Sequence, residues 1–243
     1  MTVHESVANR LGATPAIALG ATVAMWAASY PLLLPAFDLP DLVATPVFTA
    51  CFLLAGWIAG RRAGMTFKGG AKVGLLITGV NLIVLGSLFG GDAPDEVVAK
   101  AIGPVIGFAV LAVGLGGIGA VIGSRRAGPP ADWTSVLAFV VALATLMLMI
   151  AGGAVTSLEA GMAVPGWLTA FDYPLVLFPL ERMRETAGIF AEHSHRLWGL
   201  LVGVSTIILV WQVFRSRQRG WVKCLALAVL GGVIIQGVAG GRA

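Results

Sequence analysis

Side chains that could carry chemistry lie close together near the start of one apolar stretch: Glu192, His193, His195 and Arg196. Ionisable groups are expensive at membrane depth and usually mark a site. On a helix, Glu192 and His195 are three residues apart and share a face, whereas His193 points away from both. We therefore take Glu192 and His195 as candidate site residues, and we expect His193 to be a polar residue that faces the adjoining loop.

The helical spacing also predicts what lies beneath the His195 imidazole. Gly199 and Gly203 follow it at four and eight residues and leave a flat strip for a planar ligand or another backbone. Neutral imidazole is a good axial ligand for heme iron, a nearby carboxylate can orient it, and an arginine suits a heme propionate. A polar cluster that only anchors the helix at the membrane interface explains the same spacing, so spacing alone leaves both interpretations open.

The composition places these residues in an integral membrane protein. Of the 243 residues, 58% are hydrophobic and 12% are charged, whereas soluble domains carry about 25% charged residues. So few charges cannot cover the surface of a soluble protein, which excludes a soluble enzyme, a disordered chain and a disulfide scaffold. The formal net charge of +4 fits the basic cytoplasmic loops of membrane proteins, so we expect a lipid bilayer and no nucleic acid as partner.

Apolar stretches of nearly membrane-spanning length divide the chain into helices. A helix needs ~20 residues to cross the hydrocarbon, and helices satisfy their own backbone hydrogen bonds there. Seven such stretches occur, at 13–34, 42–59, 73–89, 101–123, 133–155, 189–214 and 221–238. The sequence therefore predicts an all-α integral membrane protein with about seven transmembrane helices.

The charges between these stretches alternate and predict an orientation. Basic residues collect after the second, fourth and sixth stretches: Arg61, Arg62, Lys68, Lys72, Arg125, Arg126, Arg215, Arg217, Arg219 and Lys223. Acidic residues dominate the alternate loops, as at Asp38, Asp41, Asp92, Asp95 and Glu96. Basic loops stay cytoplasmic, so we expect a multi-pass protein of the cell's inner (plasma) membrane with its N-terminus cytoplasmic and its C-terminus outside. This orientation puts Glu192 at the outer boundary.

The organisation of the chain changes near 124–132, a segment with Gly128, Pro129 and Pro130 that reads as a boundary. Before it, residues 1–130 form a four-helix membrane region of unknown role, in which Asn81 is expected to hydrogen-bond a neighbouring helix. After it, residues 131–243 contain three helices and a long outer loop at 156–189. Loops of that length in compact proteins are usually functional.

Three segments of this second region resemble the heme A synthase family. They are Gly-Gly-x-x-Thr at 152–156 followed by Pro-Gly-Trp at 165–167, Glu-x-x-His-Arg at 192–196, and Gln-Gly-x-x-Gly-Gly at 236–241. Gly166 stands where the family commonly has Asp, and Leu168 stands where it has Pro. The resemblance covers about 133–243, and residues 1–130 match no family that we can name.

The resemblance implies a function and a role for each site residue. The family oxidises a methyl group of heme O to the formyl group of heme A for cytochrome c oxidase assembly, in two four-helix halves that hold the heme O substrate and a heme b cofactor. By this resemblance, Glu192 is the catalytic carboxylate and His195 ligates the heme iron. Arg196, Gly199 and Gly203 complete the heme-binding site. Heme O synthase and an electron donor are the implied partners.

The resemblance also implies parts that these 243 residues do not contain. The family has a fourth helix that brings a second histidine opposite the first, and a separate cofactor half. We therefore expect either a truncated chain or a partner that supplies the rest. The alternative is a non-catalytic membrane module for heme binding or assembly. A small-solute transporter is a weaker alternative, because the other stretches lack the charged groups that coupled transport needs.

Overall fold

A computed structural model of the chain describes residues 3–37, 39–85, 97–166 and 169–240, with only the backbone described at 3–11, 41–42, 84–85 and 97. Several residues that the sequence singled out lie outside these ranges: Asp38, Asp92, Asp95, Glu96, Trp167, Leu168 and Gly241.

The described chain is mostly α-helical, and a long helix coincides with each of the seven apolar stretches. The helices are α1 (Val3–Ser29), α2 (Thr45–Ala63), α3 (Phe67–Leu85), α4 (Val97–Ser124), α5 (Trp133–Ser157), the short α6 (Leu180–Met183), α7 (Ala187–Arg215) and α8 (Gly220–Gly240). By length and composition, α4, α5, α7 and α8 are long and apolar enough to cross a membrane. The helical fold is thus confirmed, while the count of seven spans and the orientation of the termini stay predictions.

Polar caps and prolines set the ends of the helices that matter for the site. The Asp132 side chain accepts a hydrogen bond from the Thr134 backbone N–H at 3.1 Å and starts α5. The Thr186 hydroxyl accepts one from the Ile189 N–H at 3.1 Å and starts α7. Such caps satisfy backbone donors that a helix start leaves free. The helix α1 ends at Ser29, before the predicted 34, and proline-led 3₁₀ turns follow because Pro31 has no N–H to continue the helix.

Glycines let α4 approach α2 and α3 at backbone distance. A Cβ atom added at Gly116 would lie 2.6 Å from the Gly70 carbonyl oxygen of α3, and one added at Gly56 of α2 would collide with the Gly116 carbonyl. Along the same helix, Gly119 and Gly123 meet the backbone of α2 in the same way. In lipid, helix association depends on this kind of close packing of small residues.

The remaining helices share one buried core with this group, across the boundary at 124–132. Helix α1 packs on α5 as well as on α2 and α3, and α7 packs on α5. Asn81 of α3 donates to the Ile77 carbonyl at 3.0 Å and to the Thr22 hydroxyl of α1 at 3.4 Å, which confirms its predicted interhelical hydrogen bond. Helix α8 packs against α7, and Ala226 is the one residue of α8 that is buried.

Contacts between loops show which helix ends lie together. The Gly128 N–H donates to the Arg61 carbonyl at 2.7 Å, and the Gln212 amide lies 3.3 Å from the Thr134 hydroxyl. The three basic loops, after α2, α4 and α7, therefore lie at one end of the bundle. The start of α7 lies at the other end, where the loop residue Arg184 donates to the Leu39 carbonyl at 2.8 Å.

The close approach of α4 predicts the effect of one added methyl group. We expect Gly116→Ala to destabilise the protein by about 1–3 kcal/mol, because the new Cβ overlaps the Gly70 carbonyl. Gly114→Ala on the same helix is the matched control, since a Cβ there has nothing within 4 Å, and alanine favours the helix by up to about 1 kcal/mol. Thermal unfolding in detergent measures both. Equal midpoints for the two variants would contradict the close packing.

Candidate functional site

The first turns of α7 carry the candidate site and are fixed against the end of α1. The Tyr30 and Ser194 hydroxyl oxygens lie 3.2 Å apart, and the Tyr30 ring packs on Phe190 with 5.3 Å between ring centroids. One turn further along, the Trp198 ring meets Trp26 edge to face at 6.1 Å. The sequence could not predict the contact between the Tyr30 and Ser194 hydroxyls or the contact between the Trp26 and Trp198 rings. The partners are far apart in the chain, by 164 residues for Tyr30 and Ser194.

His195 lies on the side of α7 that faces α5, and its ring is oriented by the α5 backbone. Its Nδ1 is 3.3 Å from the Leu148 carbonyl oxygen. A Cβ atom at Gly152, one turn further along α5, would lie 2.9 Å from Cε1 of the ring. A carbonyl oxygen only accepts, so Nδ1 carries the proton and the neutral ring keeps its lone pair on Nε2. That Nε2 has no hydrogen-bond partner among the described residues and is not sealed in the interior.

The two glycines below His195 on α7 differ from each other. A Cβ atom at Gly199 would touch the Leu148 side chain at 3.9 Å, whereas one at Gly203 would have nothing within 4 Å. Both positions are half-buried. Open space therefore lies beside Gly203, whereas the Leu148 side chain lies beside Gly199, and the glycine that contacts the imidazole is Gly152 of α5. The flat strip stays a prediction.

Glu192 and Arg196 form an ion pair one turn apart, and both are bonded to the loop that precedes α7. The Glu192 side chain is buried, and its Oε2 accepts a hydrogen bond from the Val164 N–H at 2.6 Å. The Arg196 guanidinium donates to the Val164 carbonyl at 2.7 Å and to the Gly166 carbonyl at 2.5 Å. Gly166 has φ +89°, a conformation that favours glycine and is unfavourable for the Asp found there in the family.

The loop itself, residues 158–186 and hereafter the connection, is folded over the start of α7. It contains a two-residue hairpin of β1 (Thr169–Ala170) and β2 (Tyr173–Pro174). Both turn residues, Phe171 and Asp172, have positive φ, as the tightest hairpin turns require. The side chains of Tyr173, Phe178 and Met183, all within the connection, are buried. The flanking helices thus extend slightly into the predicted loop at 156–189. The described residues of the connection form a cap with a small apolar core, to which Leu33 and Phe190 also contribute.

His193 faces the connection, as predicted, but its environment is not polar. The ring is 0% exposed and packs on Phe178 with 4.9 Å between ring centroids. Neither ring nitrogen has a hydrogen-bond partner in the part of the chain that the structure describes. His193 therefore belongs to the core under the connection and lies on a different face of α7 from His195.

The side chains of the site suit a metal that is already held by a macrocycle better than a bare metal ion. Within 3–37, 39–85, 97–166 and 169–240, no three His, Cys, Asp or Glu side chains come together to hold a bare ion. A porphyrin-bound iron needs only one or two axial ligands from protein, and a neutral imidazole such as His195 has the chemistry for that role. Glu192 and Arg196 are already bonded to each other and to the loop backbone.

Comparisons of the chain with protein-family models, with curated proteins and with solved structures give no match. The motif segments therefore carry the family resemblance alone, and the structure brings two of them together. Gly152 of the first segment contacts the His195 ring, and Gly166 of the same segment accepts a hydrogen bond from Arg196. The described part of the third segment, residues 236–240, is exposed on α8.

Three residues of this arrangement escaped prediction as contacts of the site: Leu148, Gly152 and Val164. Leu148 and Val164 contribute backbone atoms, for which the sequence carries no signal. Gly152 did have one, because a glycine inside a long apolar helix often marks a close approach of another element.

The contact between Gly152 and His195 predicts how the imidazole responds to a methyl group. We expect Gly152→Ala to displace the His195 ring and break its Nδ1 contact with the Leu148 carbonyl. Gly153→Ala is the matched control, because a Cβ at Gly153 would have nothing within 4 Å. NMR of protein with ¹⁵N-labelled histidine, at a pH where the ring is neutral, reports the tautomer. The wild type and Gly153→Ala should show the proton on Nδ1. A proton on Nε2 in the wild type would contradict this orientation.

Proposed function

We propose that the chain is a membrane oxidoreductase of the heme A synthase type that binds heme through His195. One observation carries the proposal: the Nδ1 of His195 is bonded to the Leu148 carbonyl, while Nε2 has no partner among the described residues. Metal-binding histidines generally donate their other ring N–H to a carbonyl or carboxylate, which fixes the tautomer and raises the basicity of the ligand. His195 has this arrangement.

The residues present fit a heme at this face of α7. His195 Nε2 would bind the heme iron, and the half-buried Gly203, where an added Cβ would have nothing within 4 Å, leaves open space about two turns further along α7. Bound heme supplies the redox chemistry that the family uses to convert the methyl group of heme O into the formyl group of heme A. The chain's own part is to hold, orient and shield the heme, and a heme O synthase and an electron donor remain the proposed partners.

The proposal includes the membrane arrangement predicted from the charges: seven spans, a cytoplasmic N-terminus, an outer C-terminus and the inner membrane as location. Its support is that the basic loops after α2, α4 and α7 meet at one end of the bundle and the start of α7 lies at the other. Basic loops stay in the cytoplasm, so the His195 end of the bundle faces outward.

A second candidate, a non-catalytic module for heme binding or assembly, is favoured by the state of Glu192. The resemblance makes this carboxylate catalytic, yet its two oxygens already accept from Val164 and Arg196. Both oxygens are thus bonded within the protein, as expected of a carboxylate that has a structural role.

The heme proposal predicts that one of the three histidines controls heme binding. We expect His195→Ala to abolish specific hemin binding in detergent and to remove the absorption spectrum of histidine-ligated heme. His4→Ala, near the start of the chain, is the control and should bind as the wild type does. Unchanged affinity and spectrum in His195→Ala would overturn the proposal.

Cells that express the chain together with a source of heme O separate the two candidates. Mass spectrometry of extracted hemes should find hydroxylated or formyl heme with the wild type and none with His195→Ala. If purified protein binds hemin through His195 but the cells contain no oxidised heme, the assembly module is the correct function.

A further inference from the structure

We propose that Glu192 and Arg196 are positioning residues, which fasten the connection to α7 and thereby hold α5 against the His195 ring. The inference deepens the proposed function, because it rests on His195 as the heme ligand. It gives Glu192 a different role from the catalytic one that the family resemblance implies.

The side chains of Glu192 and Arg196 bind the backbone N–H and the backbone carbonyl of the same residue, Val164. The Glu192 carboxylate accepts from the Val164 N–H at 2.6 Å, and the Arg196 guanidinium donates to the Val164 carbonyl at 2.7 Å. The ion pair between them joins these two bonds into one network, which Arg196 extends to the Gly166 carbonyl. An arginine suits this position because its planar fork presents several donors in fixed directions.

The attached segment follows directly from the helix that holds the imidazole. Helix α5 supplies Leu148 and Gly152 to the ring and ends at Ser157, where the connection begins. Within a few residues the chain reaches Val164 and is bonded to α7, one turn from His195. The short segment from Ser157 to Val164 is thus covalently continuous with α5 at one end and hydrogen-bonded to α7 at the other. The two bonds at Val164 therefore restrain the separation of α5 and α7 at the imidazole.

The burial of the pair argues for this role over direct chemistry. Glu192 is only 4% exposed, and a buried charge is costly unless it is paired and hydrogen-bonded. Both oxygens meet that requirement with protein donors, and Val164 itself is 2% exposed. A propionate at Arg196 would have to displace the loop carbonyls that the guanidinium now holds.

Hydrogen exchange on the heme-free protein tests the fastening by itself. We expect Glu192→Ala and Arg196→Lys to raise exchange at the Val164 amide and along β1 and β2 by roughly tenfold or more, because the connection opens without unfolding the bundle. Arg196→Lys keeps the charge but loses the fork, so it serves if Glu192→Ala does not fold. Glu181→Gln, an exposed carboxylate in the same connection, is the matched control and should exchange as the wild type does.

Hemin titration of the same variants tests the positioning of His195. Changes to residues that orient a metal ligand typically cost about tenfold to a hundredfold in affinity, and we expect that loss in Glu192→Ala and Arg196→Lys together with a shifted heme absorption band. A residue with a purely structural role would alter stability and leave the band in place. Glu181→Gln should leave affinity and band unchanged.

The outcomes separate this inference from the heme proposal. Unchanged exchange in folded Glu192→Ala overturns the fastening, whether or not heme binds. Faster exchange with unchanged hemin affinity and spectrum overturns the positioning role and leaves His195 as the ligand. If hemin binding does not depend on His195 at all, the heme proposal fails while the exchange result still stands.

Discussion

The arrangement of the site depends on one close contact between two long apolar helices. Helix α5 can present the Leu148 carbonyl to Nδ1 of His195 only because Gly152 has no side chain where the ring lies. This contact places the proton on Nδ1 and leaves the lone pair on Nε2. A larger residue at 152 would separate the helices and leave the imidazole free to rotate. The orientation of His195 therefore depends on glycine at position 152.

The rest of the molecule supports that contact from two sides. At the outer end of α7, the connection is bonded through Val164 to Glu192 and Arg196, and its aromatic core covers the buried His193. Behind α5, the helix α1 packs into the same core, which continues to α2 and α3. Helix α4 packs closely on α2 and α3 through its glycines and completes that group. The described helices α1 to α4 therefore share the core against which α5 packs.

The elements of this fold could be predicted from the sequence, because long apolar runs bounded by Asp132, Thr186 and Pro31 leave little choice but helices. The site could be predicted in part. The spacing of Glu192, His195 and Gly199 on one helix follows from helical geometry alone. The partners from α5 and the connection could not be predicted, since they are backbone groups 28 to 47 residues away in the chain. The ion pair of Glu192 with Arg196, at the favourable spacing of four, was within reach of the sequence and was overlooked.

The position of iron in an experimental structure of the hemin-bound protein, located by its anomalous scattering, tests the central claim most directly. We expect iron at bonding distance from His195 Nε2, with Nδ1 still in contact with the Leu148 carbonyl. Iron at any other residue, or a His195 ring turned so that Nε2 meets the α5 backbone, would contradict it.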